Sequence, residues 1–383
     1  METIEQLPTP SPKQRRLTVL ASLAAICCVI LGALWAIFHV GIPGSRAQVA
    51  GGEIAMMDKY DMYITNQISE ALDGILSIRK VYWLNDSDTI APEPNQSCFD
   101  STKDPEEVLP VLEKAAEMLN IEEFLFRTDV DFRPDSQIRW YLDETIFALT
   151  WQEIHNNILY TFSEVKIAHP SQLRRFLAGD TYGHNMQFYT TQMASDVNAV
   201  VASSGDFYKF RHYGIIVYDG QVHRANGRNL DTCFIDDKGD MILLGANQIN
   251  TMEDAQAFVD EHNIRFSISF GPTLIENGVR FTPRYYPIGE NTGHYPRAAL
   301  CQLGQCHYVV AIANSIPGYE KLPTLAKFGD CLLSKGITTA YTLDGGQTAV
   351  LAMNGEMINP VEYGSQRRIS DIFYFATAVP DGG

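Results

Sequence analysis

Apolar residues in the first third of the chain recur every three or four positions, which is typical of helices. One set runs from Ile64 to Ile78, and a second runs from Val108 to Leu119. The second set begins well for a helix, because Asp104 suits an N-cap and Pro105 suits the first turn. The acidic, proline-containing stretch 85–104 between the two sets is predicted to be a loop. These segments predict a helical module that carries no recognisable chemistry.

From about Ile138 the pattern changes to short β-type runs, such as Ile146–Trp151 and Ile158–Ile167. Helices are predicted at 254–261 and at about 323–335. Strands interrupted by a few helices, without a regular βαβ alternation, predict an α+β domain. Hairpin turns are predicted at Asp219-Gly220, Lys238-Gly239, Asn277-Gly278 and Asn354-Gly355.

The N-terminal part contains a charge-free run, Leu17–Val40, whose 24 residues are long enough to cross a bilayer core of roughly 30 Å. Lys13, Arg15 and Arg16 precede it, which predicts a cytoplasmic N-terminus and an extracellular C-terminal domain, held at the cell membrane by a single pass. The alternative is a cleaved signal peptide, but signal cores usually run only about 7 to 15 residues.

The chain is therefore predicted to have four parts. They are a cytoplasmic tail (1–16), a transmembrane anchor (17–40), a membrane-proximal helical stalk (41–137) and a strand-rich domain (138–383).

Composition excludes some classes of protein. The formal net charge of −17 argues against nucleic-acid binding, which needs clustered Lys and Arg. No CxxC or HExxH spacing is present, so a structural zinc site is not expected. Cys301 and Cys306 are close enough in sequence to form a disulfide on the exported side, the alternative being buried free thiols.

The segment Tyr341–Val350 carries the strongest chemical signal. Tyr341 and Leu343 alternate with Ala340 and Thr342, which predicts a half-buried strand ending at Asp344. The two glycines that follow allow a sharp turn and the close approach of another group. Asp344 can therefore meet a ligand, although an ordinary Asp-Gly hairpin turn is the alternative.

Five segments in order resemble the phosphodiester glycosidases, a family that includes the lysosomal uncovering enzyme and many exported bacterial proteins. The segments are Asp180–Gly183, Ser204–Tyr208 with Arg211 and Gly214, Phe270–Pro272 before Asn277-Gly278, Pro296–Ala298, and Leu343–Gly346 followed by Asn354-Gly355 and Arg367–Asp371. The resemblance covers Ile138 to Ala376 and implies a domain with a mixed sheet. It also implies hydrolysis of sugar-1-phosphodiester bonds in a carbohydrate or sugar-phosphate polymer.

Such a reaction needs cations for the phosphate and carboxylates near the anomeric carbon. Asp344 and Asp206 are the predicted catalytic residues: one is a base or nucleophile, or both hold a divalent cation such as calcium. Neighbouring arginines are expected to keep these carboxylates ionised. The residues predicted to bind substrate are Arg211, Arg297, Arg367, Gly345, Gly346, Ser204, Thr348 and Asp371. Alternatively, Arg211 and Arg297 form structural salt bridges and Asp206 caps a turn.

The chain also departs from the family pattern after Gly346. Gln347 stands where relatives usually have a third glycine, and Ala349 and Val350 replace polar residues. Two functions follow. The first is a membrane-anchored extracellular glycosidase that acts on surface or extracellular polysaccharide. The alternative is a catalytically weakened relative that binds such polymers or scaffolds their assembly.

Overall fold

The part of the chain with a described structure begins at residue 82. The computed structural model describes residues 82–85, 88–206, 208–281, 286–287, 291–316, 321–361 and 364–380, all within one compact unit spanning 81–383. The predicted tail, the anchor at 17–40 and the helix at 64–78 lie outside the described residues. Within those ranges, no helix is long and apolar enough to span a bilayer.

Nineteen strands and four helices make up the regular structure of these residues. The strands are β1 (Phe99–Thr102), β2 (Ile138–Leu142), β3 (Ile146–His155), β4 (Ile158–Ile167), β5 (Leu173–Leu177), β6 (Val201–Ser204), β7 (Gly214–Tyr218), β8 (Gln221–Asn226), β9 (Thr232–Asp236), β10 (Met241–Leu244), β11 (Ile264–Ile268), β12 (Thr273–Glu276), β13 (Val279–Arg280), β14 (Arg297–Gly304), β15 (His307–Asn314), β16 (Thr339–Leu343), β17 (Leu351–Met353), β18 (Glu356–Met357) and β19 (Asp371–Phe375). The helices are α1 (Leu109–Leu119), α2 (Thr190–Asp196), α3 (Met252–His262) and α4 (Leu325–Ser334).

The strands form one large sheet and three smaller ones. The large sheet has nine strands in the order β1-β2-β3-β4-β15-β14-β16-β12-β13. A five-stranded sheet has the order β18-β17-β6-β19-β5, a three-stranded sheet the order β10-β9-β11, and β7 pairs with β8.

The α+β class predicted from the sequence is confirmed, whereas the prediction of a mixed sheet is wrong for the described residues. Every pair of strands in them is antiparallel.

The nine-stranded sheet is covered on both faces. One face packs against α1 and α4 through residues such as Leu112 and Leu332. The other face packs against the five- and three-stranded sheets, with Leu343 meeting Phe373 and Ile268 in one apolar cluster. Ala340, Tyr341, Thr342 and Leu343 of β16 are therefore all buried, and the prediction that this strand is half-buried is wrong.

The strand-rich domain starts earlier than the predicted boundary at residue 138. β1 pairs with β2, with Phe99 opposite Tyr141. Helix α1, which the sequence assigned to a stalk, packs its apolar side on the nine-stranded sheet. The periodicity of α1 is indicated correctly by the sequence, but the surface it covers is set by tertiary contacts. Residues 99–119 thus belong with the domain.

Local signals explain where these elements begin and end. The Asp104 side chain accepts a hydrogen bond from the Glu106 backbone N–H and so caps a short 3-10 helix, Pro105–Val108, that leads into α1. The hairpin turn between β7 and β8 is also as predicted, because Asp219 and Gly220 take φ values of 49° and 70°. That left-handed pair matches the twist of the two strands it joins.

The predicted disulfide between Cys301 and Cys306 is wrong, because both cysteines are free and buried. Cys301 packs in the cluster beneath α1 and α4, whereas Cys306 packs in the cluster between the sheets. The two side chains therefore lie on opposite faces of the β14–β15 hairpin. Burial raises the pKa of both thiols, so they remain protonated near neutral pH.

Candidate active site

The predicted site residues lie where the chain passes between the two large sheets. Asp344 directly follows β16 of the nine-stranded sheet, and β17 of the five-stranded sheet begins seven residues later at Leu351. Leu351 pairs with Ser203 near the end of β6, just before Asp206. The Ser203 hydroxyl also donates a hydrogen bond of 2.8 Å to the Val350 carbonyl. The turn that carries Asp344 and the loop that carries Asp206 therefore meet at one end of the sandwich.

Backbone contacts explain why glycines follow Asp344. Gly345 has no room for a Cβ, because that atom would collide with the Pro296 carbonyl oxygen. Gly346 has a φ of 62° and donates a hydrogen bond of 3.1 Å to the same oxygen. These contacts hold the Asp344 turn against the first residues of β14, where Arg297 lies.

Asp344 is the candidate carboxylate that solvent reaches. Its side chain is 15% exposed, and Oδ2 lies 2.9 Å from Arg367 Nη2. Burial raises the pKa of Asp344 above its ordinary value, while the Thr348 hydroxyl, Arg367 and Arg211 each lower it in part. Arg367 and Arg211 thus act in the expected direction, but desolvation has the larger effect and the net pKa of Asp344 is raised.

Arg211 connects the two predicted catalytic carboxylates. Its Nη2 lies 2.6 Å from Asp206 Oδ1 and also donates to the Ser269 carbonyl. The guanidinium carbon sits 5.3 Å from the centre of the Phe270 ring, within cation–π range. The charge of the same guanidinium also lowers the pKa of Asp344 in part, so Arg211 pairs with Asp206 and acts electrostatically on Asp344.

Asp206, in contrast, is sealed inside the protein. Its side chain is 0% exposed, and its Oδ2 accepts a hydrogen bond of 2.6 Å from the Ser269 backbone N–H. Both carboxylate oxygens are thus engaged by protein groups. Substrate cannot reach this carboxylate in the described arrangement, so the geometry suits Asp206 to holding Arg211.

Asp371 was predicted to touch substrate, and the structure places it behind Asp206 with no exposed side-chain surface. It accepts hydrogen bonds from the Asp206 backbone N–H and from Arg175 Nε, the latter at 2.9 Å. Arg175, in β5, and Ser269 belong to the site but were missed by the sequence analysis. A signal for Arg175 was present, since two arginines interrupt the buried apolar strand Leu173–Leu177, and a buried charge needs a partner.

The other predicted substrate ligands differ in how they contact the site. Arg297 donates to the Gly293 carbonyl at 2.7 Å, and its guanidinium carbon lies 5.5 Å from the Tyr295 ring centre. The buried Thr348 hydroxyl donates to the Gly345 carbonyl at 2.6 Å and so braces the turn. Ser204 is buried at the end of β6, with no hydrogen-bond partner for its Oγ among the described residues.

The predicted calcium site does not fit these residues. The described part of the chain contains no group of three or more His, Cys, Asp or Glu side chains arranged to hold a metal. Asp206 is paired with Arg211, and Asp344 is paired with Arg367. Guanidinium groups at both carboxylates supply the positive charge that a cation would bring.

Comparisons with known proteins agree with the resemblance seen in the sequence. Residues 197–376 match the sequence model of a family described as phosphodiester glycosidase. A stretch of 162 residues is 24% identical to the uncharacterized SPbeta prophage-derived protein YomE of Bacillus subtilis (strain 168). That stretch is 41% of this chain and spans about a quarter of the relative, 24% of its length.

Two solved structures share features of the chain trace. The catalytic domain of zebrafish N-acetylglucosamine-1-phosphodiester alpha-N-acetylglucosaminidase, auto-inhibited by its pro-peptide, aligns with a TM-score of 0.47 at 17% identity. The alignment covers 65% of this chain and 86% of that one. A hypothetical protein from Synechocystis aligns with a TM-score of 0.44 at 14% identity, over 65% of each chain.

Asp206, Arg211, Arg297, Asp344, Arg367 and Asp371 all lie within the matched residues 197–376. Arg175 contributes to the site from outside them. The segment that holds most of the candidate site therefore matches the phosphodiester glycosidase family, as its motifs predict.

Proposed function

We propose that this protein is a glycosidase that hydrolyses sugar-1-phosphodiester bonds. The match of residues 197–376 to this family supports a hydrolase that acts on a carbohydrate-type substrate. The observation that carries the proposal is the pairing of Asp344, partly exposed, with Arg367 at 2.9 Å in reach of Arg211. A carboxylate paired with one guanidinium group, with a second guanidinium group acting on it, matches the two needs of this reaction.

The first need is to stabilise the departing phosphate. When the bond between the anomeric carbon and oxygen breaks, the phosphodiester becomes a phosphomonoester and gains negative charge. Arg211 and Arg367 are placed to receive that charge, with Arg297 on the neighbouring strand. Planar guanidinium groups bind phosphate oxygens through paired hydrogen bonds, and in a partly desolvated site these contacts strengthen as charge develops.

The second need is a group that acts at the anomeric carbon. Asp344 fills it either as a base that activates water or as a nucleophile that forms a glycosyl-enzyme intermediate. Its raised pKa makes it a stronger base than an exposed aspartate. Asp206 has no exposed side-chain surface, so its part in the reaction is to hold Arg211.

The location of the enzyme belongs to the same proposal. The charge-free run Leu17–Val40 and the basic residues before it support a single-pass anchor with the catalytic domain outside the cell. An exported domain would meet surface or extracellular polysaccharides that contain sugar phosphates. Protease added to intact cells should then remove the domain and leave the N-terminal tail.

The decisive experiment is an assay of the full-length chain, purified in detergent, on a panel of sugar-1-phosphate methyl diesters. Release of free sugar and methyl phosphate supports the proposal. The Asp344→Asn variant is the control and should lower turnover by about 10³-fold or more, because it removes the proposed base or nucleophile at nearly constant volume. Binding of the diesters without turnover in the wild-type protein would favour the polymer-binding alternative.

A further inference from the structure

Four charged side chains form a closed group behind the candidate site. Arg175 and Asp371 have no exposed side-chain surface, Asp206 has none, and Arg211 is 8% exposed. Two cations and two anions are therefore buried together. Each charge has a partner of opposite sign, as burial of such groups requires.

Asp371 holds the backbone of Asp206. Its two oxygens lie 3.1 and 3.0 Å from the Asp206 backbone nitrogen, which donates to them. Gly205 has no room for a Cβ, because that atom would collide with Asp371 Oδ2. The glycine therefore allows the carboxylate of Asp371 to approach the chain just before Asp206.

Arg175 holds the other side of Asp371. Its Nε donates to Asp371 Oδ2 at 2.9 Å, and its Nη2 lies 2.8 Å from the same oxygen. That Nη2 is also 3.8 Å from Asp206 Oδ2, near enough to attract it but not to form a hydrogen bond. Asp371 thus keeps Arg175 away from Asp206, whose Oδ1 binds Arg211.

The end of β11 fixes both arginines. Arg175 donates to the carbonyl of Ser267, and Arg211 donates to the carbonyl of Ser269. The Ser269 N–H also holds Asp206 Oδ2 at 2.6 Å. The two guanidinium groups are therefore anchored two residues apart on one segment, with Asp206 next to both.

We propose that Asp371 and Arg175 are positioning residues that direct Arg211 toward the phosphate of the substrate. They act through Asp206, whose backbone and side chain they hold. This inference rests on the proposed function, in which Arg211 binds phosphate. It adds a role for Arg175, which lies outside the matched family segment.

The physical consequence of removing the Asp371 charge follows from the distances. In Asp371→Asn the new side-chain amide would still accept a hydrogen bond from the Asp206 N–H, but Arg175 would lose its anionic partner. The nearest remaining carboxylate for Arg175 is Asp206, whose Oδ2 is 3.8 Å away. Two arginines would then compete for Asp206, and Arg211 would be held less firmly.

Crystal structures of the wild-type protein and of Asp371→Asn test the positioning directly, without any ligand. The proposal requires Arg175 to move toward Asp206 and the Arg211 guanidinium to leave its place over Phe270. An unchanged Arg211, paired with Asp206 as before, would overturn it. If Asp371→Asn does not fold, Arg175→Lys serves instead, because lysine keeps the charge but cannot contact Asp371 and the Ser267 carbonyl together.

Calorimetric titration of the full-length chain with inorganic phosphate tests the consequence for binding. Asp371→Asn should weaken phosphate binding about tenfold when Arg211 is present and less than about twofold in the Arg211→Lys background, since residues acting through one partner are not additive. Equal weakening in both backgrounds would overturn the proposal. Asp330→Asn is the matched control, because Asp330 pairs with Arg280 at 2.6 Å but is 59% exposed. Absence of phosphate binding by the wild-type protein would count against the proposed function, while the crystal structures would still decide the positioning.

Discussion

The turn that carries Asp344 and the loop that carries Asp206 contain the same kinds of groups in opposite settings. Each has an aspartate beside an arginine, at 2.9 Å for Asp344 and 2.6 Å for Asp206. The Asp344–Arg367 pair is exposed at 15% and 45%, whereas the Asp206–Arg211 pair is exposed at 0% and 8%. The sequence motifs predicted both aspartates to be catalytic residues, whereas the structure distinguishes them by their burial. An exposed pair can open for a ligand, while a buried pair holds a fixed geometry.

This difference also sets what each pair does for stability. An ion pair with one partner nearly half exposed contributes little, because water screens it. A buried pair contributes little relative to an apolar core, but removing one partner leaves a desolvated charge behind. We therefore expect changes at Asp206 to affect folding, and changes at Asp344 and Arg367 to affect activity.

The largest effect on stability is expected for Asp206→Ala. The substitution leaves Arg211 without its carboxylate and Arg175 with only Asp371, so the free energy of unfolding should fall by about 3–5 kcal/mol. Urea denaturation followed by tryptophan fluorescence measures it. Asp330→Ala, in an exposed pair, should cost no more than about 1 kcal/mol. Equal losses in the two variants would mean that Asp206 is not the sealed group described above.

The next effect concerns substrate affinity. Arg367→Ala should raise KM about tenfold, because a charge-assisted contact to phosphate contributes roughly 1.5 kcal/mol or more. The value of kcat should fall as well, because Arg367 also receives the charge that develops on the phosphate, but by less than in Asp344→Asn, since Asp344 remains in place. Steady-state kinetics on a cleaved sugar phosphodiester measure both constants. Arg368→Ala is the matched control, because the Arg368 guanidinium carbon lies 5.3 Å from the Tyr189 ring centre and belongs to no contact of the site described above. Similar changes in KM for both variants would contradict a specific role for Arg367.

A smaller effect is expected in the pH profile. Asp344 must be ionised to act as a base or nucleophile, so activity should fall as pH decreases through its pKa. Because burial raises the pKa of Asp344, this acid limb should lie at higher pH than for an exposed aspartate. The pH dependence of kcat/KM measures it, and fluorescence at each pH excludes unfolding as the cause. A rate that increases on acidification would instead make Asp344 a general acid.

The sequence predicts the outline of this site because its parts are local. A carboxylate followed by Gly345 and Gly346 needs only one turn to be recognised, and Arg211 follows Asp206 by five residues. The same holds for the apolar periodicity of α1 and for the β7–β8 hairpin, whose turn residues act within a few positions. Hydrophobic periodicity and turn residues also distinguish strands from helices, and this was enough to predict the α+β class.

The features that the sequence could not predict depend on contacts between residues that are far apart in the chain. Arg175 meets Asp371, 196 residues away, because β5 pairs with β19 at the edge of the five-stranded sheet. The raised pKa of Asp344 depends on how deeply its turn is buried between two sheets. Spacing alone also misled for Cys301 and Cys306, since the face of a strand on which each thiol lies decides whether the two can meet.

The smallest effect is expected at Gln347, which stands where relatives usually have a third glycine. A side chain in place of a third glycine threatens to block the ligand, but in the structure this side chain is hydrogen-bonded to a neighbouring backbone carbonyl. Gln347 Nε2 lies 3.3 Å from the Ser365 carbonyl, to which it donates, and its own carbonyl accepts a hydrogen bond from the Arg367 backbone N–H.

Gln347→Gly therefore removes one exposed hydrogen bond and keeps the backbone contact that positions Arg367. Turnover and KM should both stay within about twofold of wild type, and the free energy of unfolding should fall by roughly 0.5–1 kcal/mol because glycine is more flexible in the unfolded chain. Gln347→Ala is the matched control, since it deletes the same amide without adding flexibility. An increase in turnover of about tenfold or more for Gln347→Gly, but not for Gln347→Ala, would show that the missing glycine limits this enzyme. The Asp344 turn would then be more restricted than its exposed arginine pair suggests.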